Sequence, residues 1–415
     1  MKTYRMKFMC LISLTLIFIS SQNGVAYEAS ADWFRKHKSV NTEKDEAVTQ
    51  YAFVTTTDWE TGHFATINLE DQSVKIYDVA LNSDAVAKTI NDKIYVVNRK
   101  GQDNITVFSP PNFSTPLIQF STGNGSNPHD IVLSSSDKAY ITLYEKNYLL
   151  VVNPNTGEEL KRIDISSFAD SDGIPEADRM VIVNGILYVT LQKLDSKNYY
   201  QPAANGEILI IDTSDDTIRG LIMLTGQNPY DINYQDSMNK LIVSEVGSFY
   251  DVADGGIETV DLNGCLSWHD VIDTYDTYVG GQTVWSEVIT CYIEYTTHGI
   301  SGFILSEKDL GGNITDFVMK PLSSQGYIIA TDSSYNTSIV SFDLEQAVKL
   351  KDVLIGNGFI YSGIALDTEK LLIGERPNLT FSNATGVRII STLNDEEITT
   401  KPINTGLPPF SITIY

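Results

Sequence analysis

A short phrase recurs along this chain. A Pro-led apolar segment runs into a tight turn and then into a second apolar segment of the type Ile/Leu-Tyr-Val-Thr. It reads PHDIVLSSSDKAYITL at 128–143, PYDINYQDSMNKLIVSE at 229–245 and, more loosely, ADRMVIVNGILYVTL at 177–191. Runs rich in Val, Ile, Tyr and Thr, broken by Gly, Asn, Asp and Pro, predict many short strands joined by turns. No long segment carries the 3.6-residue period of an amphipathic helix.

One position marks the second strand of each repeat: Tyr51, Ile94, Tyr140, Leu187, Leu241, Tyr327 and Leu371, at spacings of 43, 46, 47, 54, 86 and 44 residues. Five of these suit a four-stranded blade and one is about double, so the chain is expected to be all-β and to form a β-propeller. The double interval holds either an eighth blade, centred on VITCYIEYT (288–296), or an insertion in a ring of seven. The insertion is favoured. GGIETVDL (255–262) matches the third strands EILIIDTSDD (207–216) and YLLVVNPNTG (148–157), ISGFILS (300–306) supplies a fourth strand, and GGNITDFVM (311–319) opens the next blade. What is left over, about 264–299, is expected to be an inserted hairpin. The first blade starts at 49 with its second strand, and the chain ends in PPFSITIY (408–415), an inner-strand phrase. The C-terminal strand should therefore complete the first blade, closing the ring and removing an open sheet edge.

NPHDIVLSSSDKAYITLYEKNYLLVVNPNTGE (127–158) and GEILIIDTSDDTIRGLIMLTGQNPYDI (206–232) resemble the secreted propellers of the YVTN class, related to the YncE-like and surface-layer propellers of bacteria and archaea. Ile141-Thr142 and Val189-Thr190 partly keep the family phrase, whereas Ile242-Val243-Ser244 and Leu372-Ile373-Gly374 depart from it. The resemblance implies the fold, secretion and surface association or ligand binding. It brings no shared catalytic residues.

Residues 1–26 read as a secretory signal. Lys2, Arg5 and Lys7 precede an apolar run over 8–20, and Gly24-Val25-Ala26 offers small residues for cleavage before Tyr27. A short arm or helix over 27–48 then leads to the propeller at 49–415. The expected location is secreted, periplasmic or on the extracellular surface. The formal net charge of −24 argues against nucleic acid and anionic membranes as partners. Past the leader only Cys265 and Cys291 remain, which permits one disulfide across the insertion.

Four constellations could carry chemistry. Asp170, Asp172, Glu176 and Asp178 stand near Gly173 in FADSDGIPEADRM (168–180), a turn whose oxygen ligands would suit Ca²⁺, although the spacing is not that of an EF-hand. His129 and Asp130 enter an inner strand, as does Asp231 after Tyr230, and these should ring the mouth of the channel. A histidine beside a carboxylate is a candidate for proton transfer, but neighbours on a strand face opposite ways. The insertion carries Trp268, His269, Tyr275, Tyr278 and Trp285, an aromatic set of the kind that meets proteins and glycans. No Gly-x-Ser-x-Gly, His-Glu-x-x-His or P-loop motif occurs. The expected function is a secreted, non-enzymatic binding or scaffold protein with an extracellular protein or glycan partner. The alternative is a hydrolase or lyase with a divalent ion in the channel.

Overall fold

Seven four-stranded antiparallel sheets follow one another around a ring in the computed structural model, which describes residues 49–262, 302–356, 359–377 and 385–415 and the backbone of two further strands. Blade 2 is built from Ala85–Ile90, Lys93–Asn98, Asn104–Phe108 and Ile118–Ser121, and blade 3 from Pro128–Ser135, Lys138–Leu143, Tyr148–Val152 and Glu159–Asp164. Blade 4 contains Ala177–Val183, Ile186–Leu191, Glu207–Asp212 and Thr217–Met223. Blade 5 contains Pro229–Gln235, Lys240–Glu245, Gly256–Asp261 and the short Leu305–Ser306. Blade 6 runs from Asn313–Met319 to Val348–Ile355, and blade 7 from Phe359–Leu366 to Glu396–Glu397. The ring has seven blades, and Leu305–Ser306 and Asn313–Met319 lie within the segments that the repeat pattern assigned to a fourth strand and to the opening of the next blade.

Blade 1 takes Tyr51–Thr57, Gly62–Asn68 and Val74–Leu81 from the start of the ring and its inner strand, Pro409–Ile414, from the end. Ala52 pairs with Ile414 and Val54 with Ile412, and Tyr51 and Tyr415 exchange both backbone hydrogen bonds. The seam is locked further by Arg376 of blade 7, which donates to the carbonyls of Pro408, Pro409 and Thr57 at 3.2, 2.8 and 3.1 Å.

The second strands are apolar almost throughout because blades cover both of their faces; Lys138–Leu143 and Ile186–Leu191 are buried at every position but the first. Outer strands such as Glu159–Asp164 are mostly exposed and polar. Between neighbouring blades lies a hydrophobic cluster. One joins Tyr140, Leu149 and Val151 of blade 3 to Leu187, Val189 and Leu209 of blade 4. Another joins Ala52, Val54 and Ile67 of blade 1 to Leu372, Val387 and Ile389 of blade 7, so packing as well as pairing closes the ring.

Within the insertion, Ile272–Val279 and Gln282–Thr290 form an antiparallel hairpin. Its second strand pairs in parallel with the outer strand of blade 4, Gly220 facing Ile289 and Leu221 facing Thr290. The insertion thus leaves the chain within blade 5 yet extends the edge of blade 4. Tyr275, Tyr278 and Trp285 stand on these strands. Cys265, Cys291, Trp268 and His269, like the leader and arm over 1–48, lie outside the described residues.

Candidate ligand site in the central channel

The start of each inner strand pairs with the end of the second strand of the same blade: Ala85 with Asn98, Pro128 with Leu143, Ala177 with Leu191, Pro229 with Glu245 and Asn313 with Thr331. These ends therefore share one face of the disk. Just inside that face the inner strand holds one residue more than its partner. The register slips between Pro128 and Ile131, Ala177 and Met180, Pro229 and Asp231, Ile314 and Asp316, and Ser362 and Ile364, and likewise at the closing strand. Such bulges re-aim side chains, and here they turn a layer of polar groups toward the axis. The amide freed by the bulge is taken up by a threonine of the second strand: Asp130 N by Thr142 Oγ1 at 2.9 Å, Arg179 N by Thr190 Oγ1 at 3.0 Å, and Ser411 N by Thr55 Oγ1 at 3.0 Å. In blades 3, 4 and 1 the Thr of the second strand thus serves the bulge.

The layer surrounds a cavity of about 520 Å³ to which all seven inner strands contribute. Its charged lining is Lys88 and Arg99 from blade 2, Asp130 from blade 3, Arg179 from blade 4, Asp231 from blade 5 and Asp316 from blade 6. Blades 7 and 1 add neutral groups, including Tyr361, Ser362, Phe410 and Ser411. Gly363 is left-handed (φ +69°), and a Cβ there would sit 2.8 Å from the Phe410 carbonyl oxygen, so this side stays bare of side chains at that point.

Several charges are already tied. Lys88 Nζ donates to both oxygens of Asp130 at 2.9 and 3.1 Å. Arg99 binds the Asp84 carboxylate and carbonyl at 2.5 and 3.0 Å. Asp130 also accepts the amide of Met180 in blade 4 at 2.9 Å. Arg179 donates to the His129 carbonyl at 3.2 Å and lies 3.8 Å from Asp178. Burial works against the charge on Arg179, but Asp178, Asp231 and Asp130 outweigh it and hold the guanidinium firmly ionised. Asp231 and Asp316 have no ion-pair partner within 4 Å among the described residues. Burial in the ring pushes Asp231 up to about 6 against the pull of Arg179. Burial, reinforced by the charge of Asp231, pushes Asp316 up to about 8.

His129 and Asp130 do diverge. Asp130 faces the cavity, whereas His129 is not part of its lining. The His129 ring stacks on Tyr144 with centroids 4.1 Å apart, and its Nδ1 lies 2.8 Å from Asp178 Oδ1. Gln192 donates to Asp178 Oδ2 at 2.7 Å and accepts from Tyr144 at 2.7 Å, so the four side chains form a closed circuit between blades 3 and 4. Burial lowers the His129 pKa despite Asp178, and Arg99 and Arg179 lower it further, which keeps the ring neutral. With Asp178 ionised, Nδ1–H is the donor. Burial works to raise Asp178, but Arg179 and His129 hold it below the ordinary carboxylate range.

The four carboxylates expected to hold Ca²⁺ do not converge. Asp170 Oδ1 accepts the Asp172 amide, and Asp172 accepts Ile174 N and both Ser196 donors. Glu176, buried, accepts Leu194 N at 3.0 Å, and Asp178 belongs to the His129 circuit. Backbone amides, Ser196, His129 and Gln192 occupy most of the oxygens that the ion was expected to collect, while Asp170 Oδ2 has no hydrogen-bond partner. Among the described residues no group of three or more His, Cys, Asp or Glu side chains is arranged to hold a metal ion.

Of the residues singled out in the sequence, the structure brings Asp130 and Asp231 together at the cavity. Arg179, Asp316, Lys88 and Arg99 were missed. Asp316 carried a signal, since TDFVM repeats the HDIVL and YDINY patterns.

No family model matches the chain, and no curated protein matches it in sequence. Among solved structures, the chain is similar to a protein from Lactobacillus plantarum, with TM-score 0.57, 10% identity and coverage of 88% of this chain and 99% of that one. It is also similar to a proposed 6-phosphogluconolactonase from Bacteroides fragilis, with TM-score 0.55, 11% identity and coverage of 88% and 98%. A match to Kuenenia stuttgartiensis hydrazine synthase covers 65% of this chain and 64% of that one, at TM-score 0.43 and 11% identity, too distant to bear on the fold. Identities this low speak for the fold alone. The chain is a seven-bladed β-propeller whose channel holds a cavity lined by both signs of charge.

Proposed function

We propose that the protein is a secreted, non-enzymatic binding propeller of the YVTN class that receives a small polar ligand in the central cavity. The observation that carries this reading is the wall formed by Arg179, Asp231 and Asp316, a guanidinium and two carboxyl groups that line one cavity, where the two carboxyls have no ion-pair partner among the described residues. Charged groups left unpaired in a partly desolvated cavity are costly unless a ligand or water meets them. The inserted segment, with Trp268, His269, Tyr275, Tyr278 and Trp285, supplies the surface for an extracellular protein or glycan. The test is a melting screen of the purified chain against small metabolites, repeated with Asp231→Ala, alongside native mass spectrometry. A ligand that stabilises the parent and not the variant supports the reading. No such ligand and no co-purifying small molecule overturns it.

The second reading is an enzyme acting on a lactone or polysaccharide. It is supported by Asp231 and Asp316, whose different environments suit an acid and a base, and by the fold shared with a proposed 6-phosphogluconolactonase. Fold is weak support for a reaction. Lactone hydrolysis abolished by Asp316→Asn would establish it, and an inactive parent chain would remove it.

A further inference from the structure

We infer that the ligand of this cavity is a small zwitterion, its amine held by Asp231 and Asp316 and its carboxylate by Arg179. The inference rests on the reading of the cavity as a binding site and specifies the ligand's chemistry.

The charges of the wall are segregated around the ring. Lys88 and Asp130 cancel each other through two direct hydrogen bonds, and Arg99 is neutralised from outside the cavity by Asp84. What remains in the wall is the Arg179 guanidinium from blade 4, which has Asp178 3.8 Å away outside the cavity lining, and the carboxyls of Asp231 and Asp316 from blades 5 and 6. Arg179 is attracted to Asp231, and both carboxyls feel its charge. Yet no N···O distance of 4 Å or less joins it to either among the described residues. Opposite charges therefore face the same space without closing on each other. The Asp231 Oδ1 accepts only the amide of its neighbour Ile232, at 2.8 Å, and a single side-chain hydrogen bond engages the Arg179 guanidinium, from Nη1 to the His129 carbonyl. Asp316 accepts the backbone amides of Ile364 and Phe317. Each group still keeps open hydrogen-bonding capacity, because a guanidinium has five N–H donors and a carboxylate about four acceptor sites.

Ligand classes separate on this arrangement. A simple anion would meet Arg179 but be repelled by Asp231. A simple cation would meet the carboxyls and be repelled by Arg179. A neutral molecule would displace water and leave Arg179 and Asp231 with no charged partner inside the cavity, which is unfavourable in a partly desolvated site. A molecule with an ammonium at one end and a carboxylate at the other satisfies both poles and is excluded by neither, which gives specificity through penalties on the alternatives. The neutral side of the cavity, with Tyr361 and Phe410, offers apolar surface for the stem between the two charges. A volume of about 520 Å³ accommodates such a molecule with space for ordered water.

The experiment is calorimetric titration of the full chain with glycine, β-alanine, γ-aminobutyrate and 5-aminovalerate, a series of increasing charge separation. The best binder is then compared with its N-acetylated and its amidated forms, and succinate, putrescine and glucose serve as single-class probes. One member of the series is expected to bind, with removal of either charge weakening it by about tenfold or more, as for loss of a charged hydrogen bond. Arg179→Gln and Asp316→Asn should each have a similar effect. The blocked ligands test the same point on the unaltered protein, so a variant that fails to fold leaves the result intact. No binding anywhere in the series, or equal binding of a blocked form, overturns the inference. If succinate, putrescine or glucose binds instead and Asp231→Ala abolishes it, the cavity is a binding site for another class, and only the zwitterion falls.

Discussion

The Thr142 hydroxyl in blade 3 donates to the carbonyl oxygen of Asp178 in blade 4 at 2.6 Å, while the hydroxyl oxygen itself accepts the amide of Asp130 at 2.9 Å. One buried side chain thereby closes the bulge of its own blade and fastens the next blade to it.

Thr142→Val keeps the shape of the side chain but leaves the Asp130 amide and the Asp178 carbonyl without this partner. Buried polar groups orphaned in this way cost about 1–3 kcal/mol each. Urea unfolding should show a midpoint loss of that order, recovered in Thr142→Ser. An unchanged midpoint would mean that the hydroxyl is dispensable.

Arg376 is expected to govern closure of the ring. It is buried, and burial lowers its pKa to about 10, so its charge is retained at neutral pH while three carbonyls of the seam accept from it. Arg376→Met should destabilise the protein by about 2 kcal/mol or more. Removing residues 409–415 should abolish the single cooperative transition altogether. Circular dichroism melts distinguish these outcomes, and a truncated chain melting like the parent would contradict the closure argument.

Stability should peak on the acid side of neutrality. Burial raises Glu176 to about 9, Glu307 to about 8 and Asp316 to about 8. In each case the folded state holds a proton that the unfolded chain gives up near its ordinary carboxylate pKa. Their contribution is therefore full below that pKa and is lost as pH rises toward 8–9. On the acid side, His129, lowered by burial, and Asp178, held low by Arg179 and His129, withdraw stability as pH falls below the unfolded values of each. Melting temperatures across pH 4–9 should be highest near about 5, and Glu176→Gln should flatten the alkaline decline. A parent curve that rises toward pH 9 would refute this.

Two tyrosines at the same place in the repeat latch neighbouring blades. Tyr140 donates to Asp216 at 2.5 Å and Tyr327 to Asp395 at 2.6 Å, each aspartate lying in a left-handed turn of the following blade. Tyr140→Phe and Tyr327→Phe should each cost about 1–2 kcal/mol, and because the sites are separate the double variant should show the sum. Strong non-additivity would indicate that the latches communicate around the ring.

Much of this architecture is visible in the chain because a propeller repeats its constraints. All seven marker residues, from Tyr51 to Leu371, fall in second strands, since that strand is buried on both faces and has to be an uninterrupted apolar run. Asp130 and Asp231 stood out because proline announces their strands. Asp178 was singled out as a calcium ligand, but its link to His129 depends on how blades 3 and 4 meet, which spacing does not encode. Arg179 escaped notice for a local reason: a bulge adds one residue to the strand, and the alternation of inward and outward side chains then fails at the functional layer. Lys88 and Arg99 belong to blade 2, whose inner strand, Ala85–Ile90, opens without proline and pairs without a register slip.

The strand Pro409–Ile414 also dictates an order of events during synthesis. Blades 2 to 7 draw their strands in sequence and are able to assemble as the nascent chain lengthens, whereas blade 1 waits with an unfilled inner position until Pro409–Ile414 emerges. Until then the row of backbone groups along Tyr51–Thr57 is an open template, available to any other extended chain nearby. A cell making this protein therefore has to shield its first strand for the whole time that the roughly 350 residues between it and the closing strand are being translated and moved.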